Sequence, residues 1–458
     1  MAHLWRVTRD DMSPPAILKA PIIQDGDDAT AIVSFEMEQM ILPLLRGPHA
    51  PQFIASGDFT RQPYIVMEEI KGETVLNCLD QAPLPVEKVV EIGVGVAHAL
   101  ADLHSQNVIH LDVKPSNIMR RGNGQFALID FGLSRHDLLP DLLAEEFRLP
   151  LGTGPYLSPE QIARDRTDPR SDIFALGVVL YYLLTGVRPF GAPRQRRALA
   201  KRLWRDPEPP VRHRPDCPPW LQEVVLRCLE VDAEKRYPTA AQLALDLAAP
   251  EQIRLTERAE KRRADSLLAA RRRWWAQKFA AEKGSSSIAA RRAAAPIVMA
   301  AVDFAEASPA AAEILRDVVG RIMTTAPGAR LACVNIIKTS RLRLDSAQDE
   351  MGRNLHVRRL VEARRWAAGL NLPTAQVTAH VLEATGPAAA LVDFARENHV
   401  DQIVICANSP VGRSIGPIAA KVVVQAPCTV TIVRPPRPSE PGGDGLGAAM
   451  EPDAGLGI

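Results

Sequence analysis

One octapeptide in the first third of the chain reads His110-Leu111-Asp112-Val113-Lys114-Pro115-Ser116-Asn117. Transfer of a phosphoryl group asks three things of a protein. It must orient the attacking hydroxyl, hold Mg²⁺ on the nucleotide phosphates and neutralise developing charge. This loop offers a side chain for each task, because Asp112 can accept the hydroxyl proton, Lys114 can reach the transferred phosphate and Asn117 supplies an oxygen ligand for the metal.

A second motif follows the first and reads Leu128-Ile129-Asp130-Phe131-Gly132. It places a second metal carboxylate, that of Asp130, on a turn that Gly132 permits. Either motif alone occurs by chance in ordinary loops. Their order and spacing together indicate a phosphoryl-transfer site.

With these motifs, residues 1–247 resemble the eukaryotic-like Ser/Thr protein kinases of bacteria. The resemblance implies an α+β bilobal protein-kinase fold, with ATP and Mg²⁺ as cofactors and serine or threonine residues of proteins as substrates. It assigns catalytic roles to Asp112, Lys114, Asn117 and Thr153, and it makes Asn117 and Asp130 the metal ligands. Thr153 would hydrogen-bond Asp112 and Lys114, which is a feature of Ser/Thr rather than Tyr kinases.

The same resemblance assigns residues of the small lobe to the nucleotide. Two short strands are predicted at residues 3–8 and 15–19, and the second ends in Ala16-Ile17-Leu18-Lys19, which resembles the lysine strand of the family. Lys19 would bind the α- and β-phosphates. A helix predicted over residues 30–45 would carry Glu38, the carboxylate that pairs with this lysine.

The connection between the two lobes, the hinge, falls at residues 63–72. Met67 would be the gatekeeper residue at the back of the adenine site. The backbone groups of Glu68 and Ile70 would hydrogen-bond the adenine edge.

Two departures from the family pattern leave a second reading open. Residues 1–18 contain no glycine, so the Gly-rich loop is missing and the chain is expected to begin after the first strand of a truncated small lobe. In addition, Ile17 replaces the small residue that packs on adenine. The alternative is therefore a pseudokinase, a nucleotide-binding scaffold that signals through protein partners. The complete set of carboxylates (Glu38, Asp112 and Asp130) favours the active kinase.

The resemblance also concerns regulation and the framework of the site. Leu111 stands where regulated kinases carry an arginine that needs a phosphate to neutralise it, and residues 131–152 contain a single hydroxyl residue, Ser134. Control by phosphorylation of this segment is therefore not expected. Asp172 would anchor the backbone of the catalytic loop, and Arg236 would pair with Glu160.

Composition predicts a cytoplasmic protein. The net charge of +1 gives no strong field that favours nucleic acid or an anionic membrane, so neither is predicted as a partner. The six cysteines form no Cys-x-x-Cys pairs and are typical of reduced core thiols. The N-terminus is charged and has no apolar region, so a signal peptide is not expected. The most apolar run, residues 173–184, is predicted to be a buried helix too short to span a bilayer.

Residues 248–294 are predicted to be a basic linker, helical at first and flexible around Gly284-Ser285-Ser286-Ser287.

From residue 295 to residue 434 strands and helices alternate. Strands are predicted at 297–302, 330–337, 377–382, 402–406 and 429–433, with helices at 309–323, 349–368, 387–398 and 415–425. This alternation predicts an α/β doubly wound parallel sheet with binding at its carboxyl edge. The Pro- and Gly-rich residues 435–458 are predicted to be a disordered tail.

The strand end Val302-Asp303-Phe304 and the closing run from Gly416 to Val430 resemble the universal stress protein family. The resemblance implies a regulatory domain for the kinase. Compared with ATP-binding members, the stretch from Ala407 to Gly416 is shortened, and Pro417 removes a phosphate-facing N–H. We therefore expect weak or absent ATP binding by this domain, and a role in docking or in forming a dimer.

Overall fold

The computed structural model describes residues 2–9, 12–22, 29–57, 63–146, 150–191, 199–264, 296–304, 309–339, 355–373, 376–407 and 415–434. We call the part up to residue 264 the N-terminal domain. Its strands and helices are β1 Ala2–Arg9, β2 Met12–Pro21, α1 Ala29–Ile41, β3 Phe53–Gly57, β4 Tyr64–Glu68, β5 Gly72–Thr74, α2 Val86–Ser105, β6 Val108–Ile109, β7 Ile118–Arg121, β8 Phe126–Leu128, β9 Arg135–His136, α3 Leu142–Glu146, α4 Pro159–Ile162, α5 Arg170–Thr185, α6 Pro219–Cys228, α7 Ala240–Ala248 and α8 Glu257–Glu260.

The small lobe is an antiparallel sheet in the order β1-β2-β4-β3, with helix α1 beside it. The lysine strand is β2, which lies between β1 and β4 as a central strand of this sheet. The helix predicted over residues 30–45 ends earlier, at Ile41, and a 3-10 turn covers Leu42–Leu44. Pro43 explains the difference, because it has no N–H to continue the α-helical ladder.

The large lobe is built around two helices. Apolar residues at helical spacing between residues 86 and 103 of the sequence predict the first, α2, and the apolar run at residues 173–184 predicts the second, α5. The apolar residues expected to face the core from α2 are each at most 1% exposed: Val89, Ile92, Val96, Leu100 and Leu103. Helix α5 is buried on nearly all sides, which confirms the buried helix predicted at residues 173–184. Helix α7 packs along α2, and Gly93 permits the close approach. A Cβ there would lie 3.0 Å from a Leu247 methyl and 3.2 Å from a Leu180 methyl.

The charged helix predicted for the first part of the linker is not continuous over residues 250–264, the portion that the structure describes. This segment contains only the 3-10 turn Pro250–Gln252 and the single turn α8. Arg258 forms ion pairs with Glu223 and Glu230, and the Gln222 amide donates to three backbone carbonyls between residues 258 and 261. These contacts with α6 and the loop after it hold the segment in an irregular path. The rest of the linker and the tail lie outside the described residues.

The C-terminal domain (the described part of residues 296–434) is a five-stranded sheet in the order β12-β11-β10-β13-β14, with all neighbours parallel. This confirms the predicted doubly wound parallel sheet. Its elements are β10 Ile297–Ala301, α9 Pro309–Thr325, β11 Arg330–Lys338, α10 Leu355–Ala368, β12 Val377–Ala384, α11 Pro387–Glu397, β13 Gln402–Cys406, α12 Pro417–Gln425 and β14 Thr429–Val433. Helix α10 was predicted from residue 349, but residues 349–354 lie outside the described part. The shortened loop before Gly416 also lies largely outside it.

The two domains share one hydrophobic core on one face of the C-terminal sheet. Polar contacts frame this interface. Arg330, at the start of β11, donates to the Gln242 carbonyl at 3.0 Å and forms a buried ion pair with Asp246, both on α7. The Gln252 side chain forms two hydrogen bonds of 2.6 Å with the backbone N–H and C=O of Ala379 in β12. Within the described ranges, no helix has the length and apolarity that a membrane crossing requires.

We expect Arg330→Met to destabilise the protein, because among the described residues it leaves the buried Asp246 carboxylate with the more distant Arg227, at 3.8 Å, as its cationic partner. Breaking a buried pair costs about 3–5 kcal/mol. The matched control is Arg396→Met, which removes an exposed pair with Asp393 and should cost less than about 1 kcal/mol. Urea unfolding followed by tryptophan fluorescence measures both, and equal midpoints for the two variants would contradict the assignment.

Candidate active site

The catalytic loop is held by the carboxylate of Asp172, which is 0% exposed in the first turn of α5. It accepts the backbone N–H groups of His110 and Leu111, each at 2.8 Å, and the ring of His104 lies 2.9 Å from it. Leu111 has a φ of +60°, a conformation that costs a non-glycine residue about 1–3 kcal/mol. The two bonds from Asp172 hold the loop in this path, as the sequence predicted.

The carboxylate of Asp112, 6% exposed, is oriented by three neighbours. Its Oδ2 accepts the Lys114 ammonium at 2.5 Å and the Asn117 amide at 3.1 Å. Its Oδ1 accepts the Thr153 hydroxyl at 2.8 Å, and Lys114 also donates to that hydroxyl at 3.0 Å. The structure thus brings together all four residues to which the sequence assigned catalytic roles.

Lys19, on β2, links two elements that are far apart in the sequence. Its ammonium lies 2.5 Å from the Glu38 carboxylate of α1 and 3.0 Å from Oδ1 of Asp130. Burial opposes the charge on Lys19, but the two carboxylates outweigh it and hold its pKa above the ordinary range. Burial likewise works against the charge on Asp130, yet Lys19, with smaller contributions from His110 and Lys114, lowers the pKa of Asp130. Both groups are therefore charged at neutral pH.

Asp130 has a φ of +67° and lies beside Gly132. A Cβ on Gly132 would stand 3.1 Å from the Ser34 carbonyl oxygen, so glycine lets this turn approach α1 closely. The backbone N–H of Ile129 donates to the Asn117 carbonyl at 3.0 Å, and the His110 ring lies 3.1 Å from the Ile129 carbonyl. These contacts join the two sequence motifs into one unit.

A cavity of about 630 Å³ opens between the lobes. Every residue assigned to the nucleotide or the metal lines it: Lys19, Glu38, Met67, Glu68, Ile70, Asn117 and Asp130. Ile17 and Met119 add apolar walls. A mostly apolar cleft of this size with a few convergent polar groups is typical of small-molecule sites.

In the hinge, the Glu68 N–H donates to the Gln52 carbonyl at 2.8 Å, and the Glu68 side chain pairs with Arg121. The hydrogen bond from Arg121, with a second from the Gln52 backbone, lowers the pKa of Glu68. The N–H of Glu68 is therefore occupied within the protein and is not available to a ligand.

The oxygens that could hold a divalent cation are those of Asn117 and Asp130. The Asn117 amide nitrogen donates to Asp112, while its Oδ1 accepts only a 3.3 Å bond from Ser116. Asp130 uses Oδ1 for Lys19, and its side chain is 47% exposed. One carboxylate and one amide oxygen facing a cleft fit Mg²⁺, which is bound by few protein oxygens together with substrate phosphates. Within the described part of the chain, no cluster of three His, Cys, Asp or Glu side chains offers a metal site.

The segment after Thr153 is tied to the large lobe by a buried polar network. Arg236 holds both carboxylate oxygens of Glu160, at 2.7 and 3.0 Å, as predicted. Ser158 caps α4 in a capping box with Gln161, whose amide also donates to the Leu111 carbonyl at 2.7 Å. This network connects the segment directly to the catalytic loop.

Ser134 is fully buried, and its hydroxyl donates to the His110 carbonyl at 3.0 Å. Leu111 is 3% exposed and packs with Ile109. The hydroxyl of Ser134 thus has a structural partner, and the side chain at position 111 carries no charge. Both observations support the expectation that phosphorylation of this segment does not control the site.

Sequence reasoning missed two residues of the site, His104 and Gln161. The spacing of Ser158 and Gln161 is a readable capping signal, Ser-x-x-Gln. His104 carried no signal, because a single histidine near the end of an amphipathic helix has no pattern that distinguishes it.

Comparison with known proteins identifies two families. The model described as "Protein kinase domain" matches residues 18–246, which is half of the chain, and the model described as "Universal stress protein family" matches residues 295–434. The chain is 37% identical over 186 residues to the serine/threonine-protein kinase PknB of Mycolicibacterium smegmatis, and equally to that of Mycobacterium leprae. Each alignment covers 40% of this chain and 30% of the relative, so the chain spans about a third of the length of these relatives.

A probable serine/threonine-protein kinase of Clostridium perfringens is 31% identical over 214 residues, which cover 46% of this chain and 31% of that protein. Among solved structures, the kinase domain of Mycobacterium tuberculosis PknI matches 55% of this chain and 91% of its own, at 24% identity and a TM-score of 0.41.

We expect Asp172→Ala to loosen the catalytic loop. Two backbone N–H groups lose a charged acceptor, at about 1.5–3 kcal/mol for each bond. The midpoint of urea unfolding should fall, and the amides of residues 110 and 111 should exchange at least about tenfold faster. Asp216→Ala, which removes a 75% exposed carboxylate, is the control. Unchanged exchange at Leu111 in the Asp172 variant would contradict this role.

Proposed function

Because this chain belongs to the protein kinase family, we propose that it transfers the γ-phosphate of ATP to serine and threonine hydroxyls of proteins. The observation that carries the proposal is the arrangement around Asp112. One buried carboxylate is fixed by Lys114, Asn117 and Thr153, in the loop that joins the cavity lined by Lys19 and Asp130. A fixed base next to a cleft with a lysine and a metal carboxylate is what phosphoryl transfer requires.

In the proposed step, the substrate hydroxyl gives its proton to Asp112 as its oxygen bonds to the γ-phosphorus. The bond from that phosphorus to the oxygen bridging it to the β-phosphate breaks, and ADP leaves. A carboxylate offers about four lone-pair sites, and Asp112 already accepts four hydrogen bonds, from Lys114, from Asn117 and from the N–H and hydroxyl of Thr153. The substrate hydroxyl would therefore take the place of one of these donors. Lys114 stands next to the same oxygens and would stabilise the negative charge of the transferred group.

Lys19 would hold the α- and β-phosphates, oriented by Glu38, and the carbonyl of Glu68 with the backbone of Ile70 would bind adenine under Met67. Mg²⁺ bound by Asn117 and Asp130 would supply neutralisation of phosphate charge. The division into a kinase domain (residues 1–247), a linker (248–294), a stress-protein domain (295–434) and a tail (435–458) is part of the proposal. The stress-protein domain would regulate the kinase.

We also propose a cytoplasmic location and no nucleic-acid partner. All six cysteines are unpaired, and a reducing compartment keeps thiols in this state. Cell fractionation tests the location.

We expect Asp112→Asn to lower kcat by about 10²–10⁴-fold, because it removes the proton acceptor at nearly constant size. The assay follows radiolabelled phosphate from ATP into β-casein and into the chain itself, with phosphoamino-acid analysis of the product. Asp80→Asn, which changes an exposed carboxylate, is the matched control. Phosphotyrosine as the main product would contradict the assignment to serine and threonine.

The same experiment separates the kinase from the scaffold reading. Lys19→Met should weaken ATP binding, because it removes the cation between Glu38 and Asp130. Wild-type protein that binds Mg²⁺–ATP in a thermal-shift measurement without any transfer would establish the scaffold. Activity of Asp112→Asn within threefold of wild type would contradict the role of this residue.

We further propose a dimer through the C-terminal domain. Among the described strands, β14 ends the sheet with no neighbour on its outer side. Helix α12 next to it exposes Ile418 (40%), Val423 (45%) and Val424 (84%). A second copy that pairs along β14 would cover both the open edge and this apolar surface.

Val424→Asp should shift the monomer–dimer equilibrium toward monomer by at least about tenfold, because it places a charge in an apolar contact. Sedimentation equilibrium measures the shift. Val361→Asp, at a 39% exposed valine on α10, is the control and should not change the equilibrium. A wild-type protein that stays monomeric at millimolar concentration would contradict the dimer.

A further inference from the structure

Among the described residues, the hydrogen bonds and ion pairs named above between the two domains fall on one part of the large lobe. On the side of the N-terminal domain, Arg330 reaches α7 at Gln242 and Asp246, and β12 is bonded to Gln252 in the turn after α7. The Gln252 amide matches the backbone of Ala379 with both a donor and an acceptor. These specific contacts hold the C-terminal domain against the large lobe in one defined orientation.

A second contact reaches helix α2 directly. The ring of His399, after α11, lies 6.2 Å from the ring of His98 in α2. Burial, followed by the nearby His49, lowers the pKa of His98 to about 4, so this ring is neutral at physiological pH. Helix α7 itself packs along α2, with the Leu247 methyl against Gly93. The C-terminal domain thus bears on α2 both directly and through α7.

Helix α2 leads from this interface to the catalytic loop. His98 and His104 are six residues apart on one continuous helix, and the ring of His104 lies 2.9 Å from Oδ2 of Asp172. The same oxygen accepts the N–H of His110, and the other oxygen accepts the N–H of Leu111. A shift of α2 would therefore move the His104 ring relative to the Asp172 carboxylate, which holds the catalytic loop.

We propose that the docked C-terminal domain positions the catalytic loop of this chain, with Gln252 and Arg330 as positioning residues that act through α7 and α2. Docking favours the arrangement in which His104 and both loop amides share Asp172, and undocking loosens it. The residues of the nucleotide cleft on β2 and α1 lie outside this route. Asn117 and Asp130, which also line the cleft, are joined to the catalytic loop. Docking should therefore affect kcat more strongly than the KM for ATP.

The effect on activity rests on the proposed kinase function, whereas the effect on the loop does not. Hydrogen exchange of the full chain tests the loop without any assay of phosphate transfer. Three amides are compared in wild type and in the double variant Gln252→Ala/Arg330→Met. Ala379, whose N–H donates to Gln252, reports loss of this contact between the domains. Leu111 reports the catalytic loop, and Met299, in the buried strand β10, reports folding of the C-terminal domain.

We expect faster exchange at Ala379 and, by about fivefold to tenfold, at Leu111, with Met299 unchanged, since coupling between sites is typically about 5–150-fold. kcat should fall by a similar factor, with a smaller change in the KM for ATP. Arg396→Ala, at a 61% exposed side chain on α11, is the control and should change none of the three amides. If the double variant loses protection at Met299, Gln252→Ala alone serves as the test.

Two results would overturn the proposal. Faster exchange at Ala379 with no change at Leu111 would show that docking does not reach the loop. No change at Ala379 in either variant would show that these contacts do not hold the domain. A protein without phosphotransferase activity, but with coupled exchange at Ala379 and Leu111, would contradict the kinase function and leave the positioning role standing.

Discussion

The buried carboxylate of Asp172 is the interaction on which the rest of the N-terminal domain depends. A charge in a core is destabilising unless it is fully hydrogen-bonded, and Asp172 meets this condition with two backbone amides and the His104 ring. Asp172 also lies in the first turn of α5, where the positive end of the helix dipole stabilises a negative charge. The carboxylate holds the backbone of Leu111 in a left-handed conformation. Asp112 is the next residue, so the path of Leu111 sets where the Asp112 side chain lies. The geometry of the candidate base is therefore set by a residue 60 positions later in the chain.

The polar groups around this carboxylate form a framework rather than a set of separate bonds. Gln161 links the Leu111 carbonyl to the capping box at Ser158, and Arg236 holds Glu160 next to it. A buried arginine–carboxylate pair adds little stability compared with apolar residues of the same size. However, the rigid planar guanidinium binds both carboxylate oxygens and so fixes the relative orientation of the two side chains. In this protein the pair fixes the segment that follows Thr153, whose hydroxyl contacts Asp112.

The sheet of the C-terminal domain has two edges, and the fold treats them differently. Edge strand β12 is covered by Gln252, which satisfies both backbone groups of Ala379. Edge strand β14 lies next to exposed valines of α12. An open edge invites pairing with another chain. The amide of one glutamine therefore joins the domains and also blocks one of the two edges, and β14 is the open edge among the described strands.

Local spacing in the sequence indicated the candidate site residues, because Asp112, Lys114, Asn117 and Asp130 occur at the short fixed spacings that phosphoryl transfer needs. It also determined the helices α2 and α5 and the strand–helix alternation of the C-terminal domain, because hydrophobic periodicity is a local property. Family resemblance supplied the pairs Lys19–Glu38 and Arg236–Glu160, which local spacing cannot reveal. Tertiary structure alone decided the role of His104, the irregular path of residues 250–264 and the seat of the C-terminal domain on α7. In each of these cases the partner lies tens of residues away in the sequence, as Gln252 does from Ala379. Only the folded chain brings such partners within hydrogen-bonding distance.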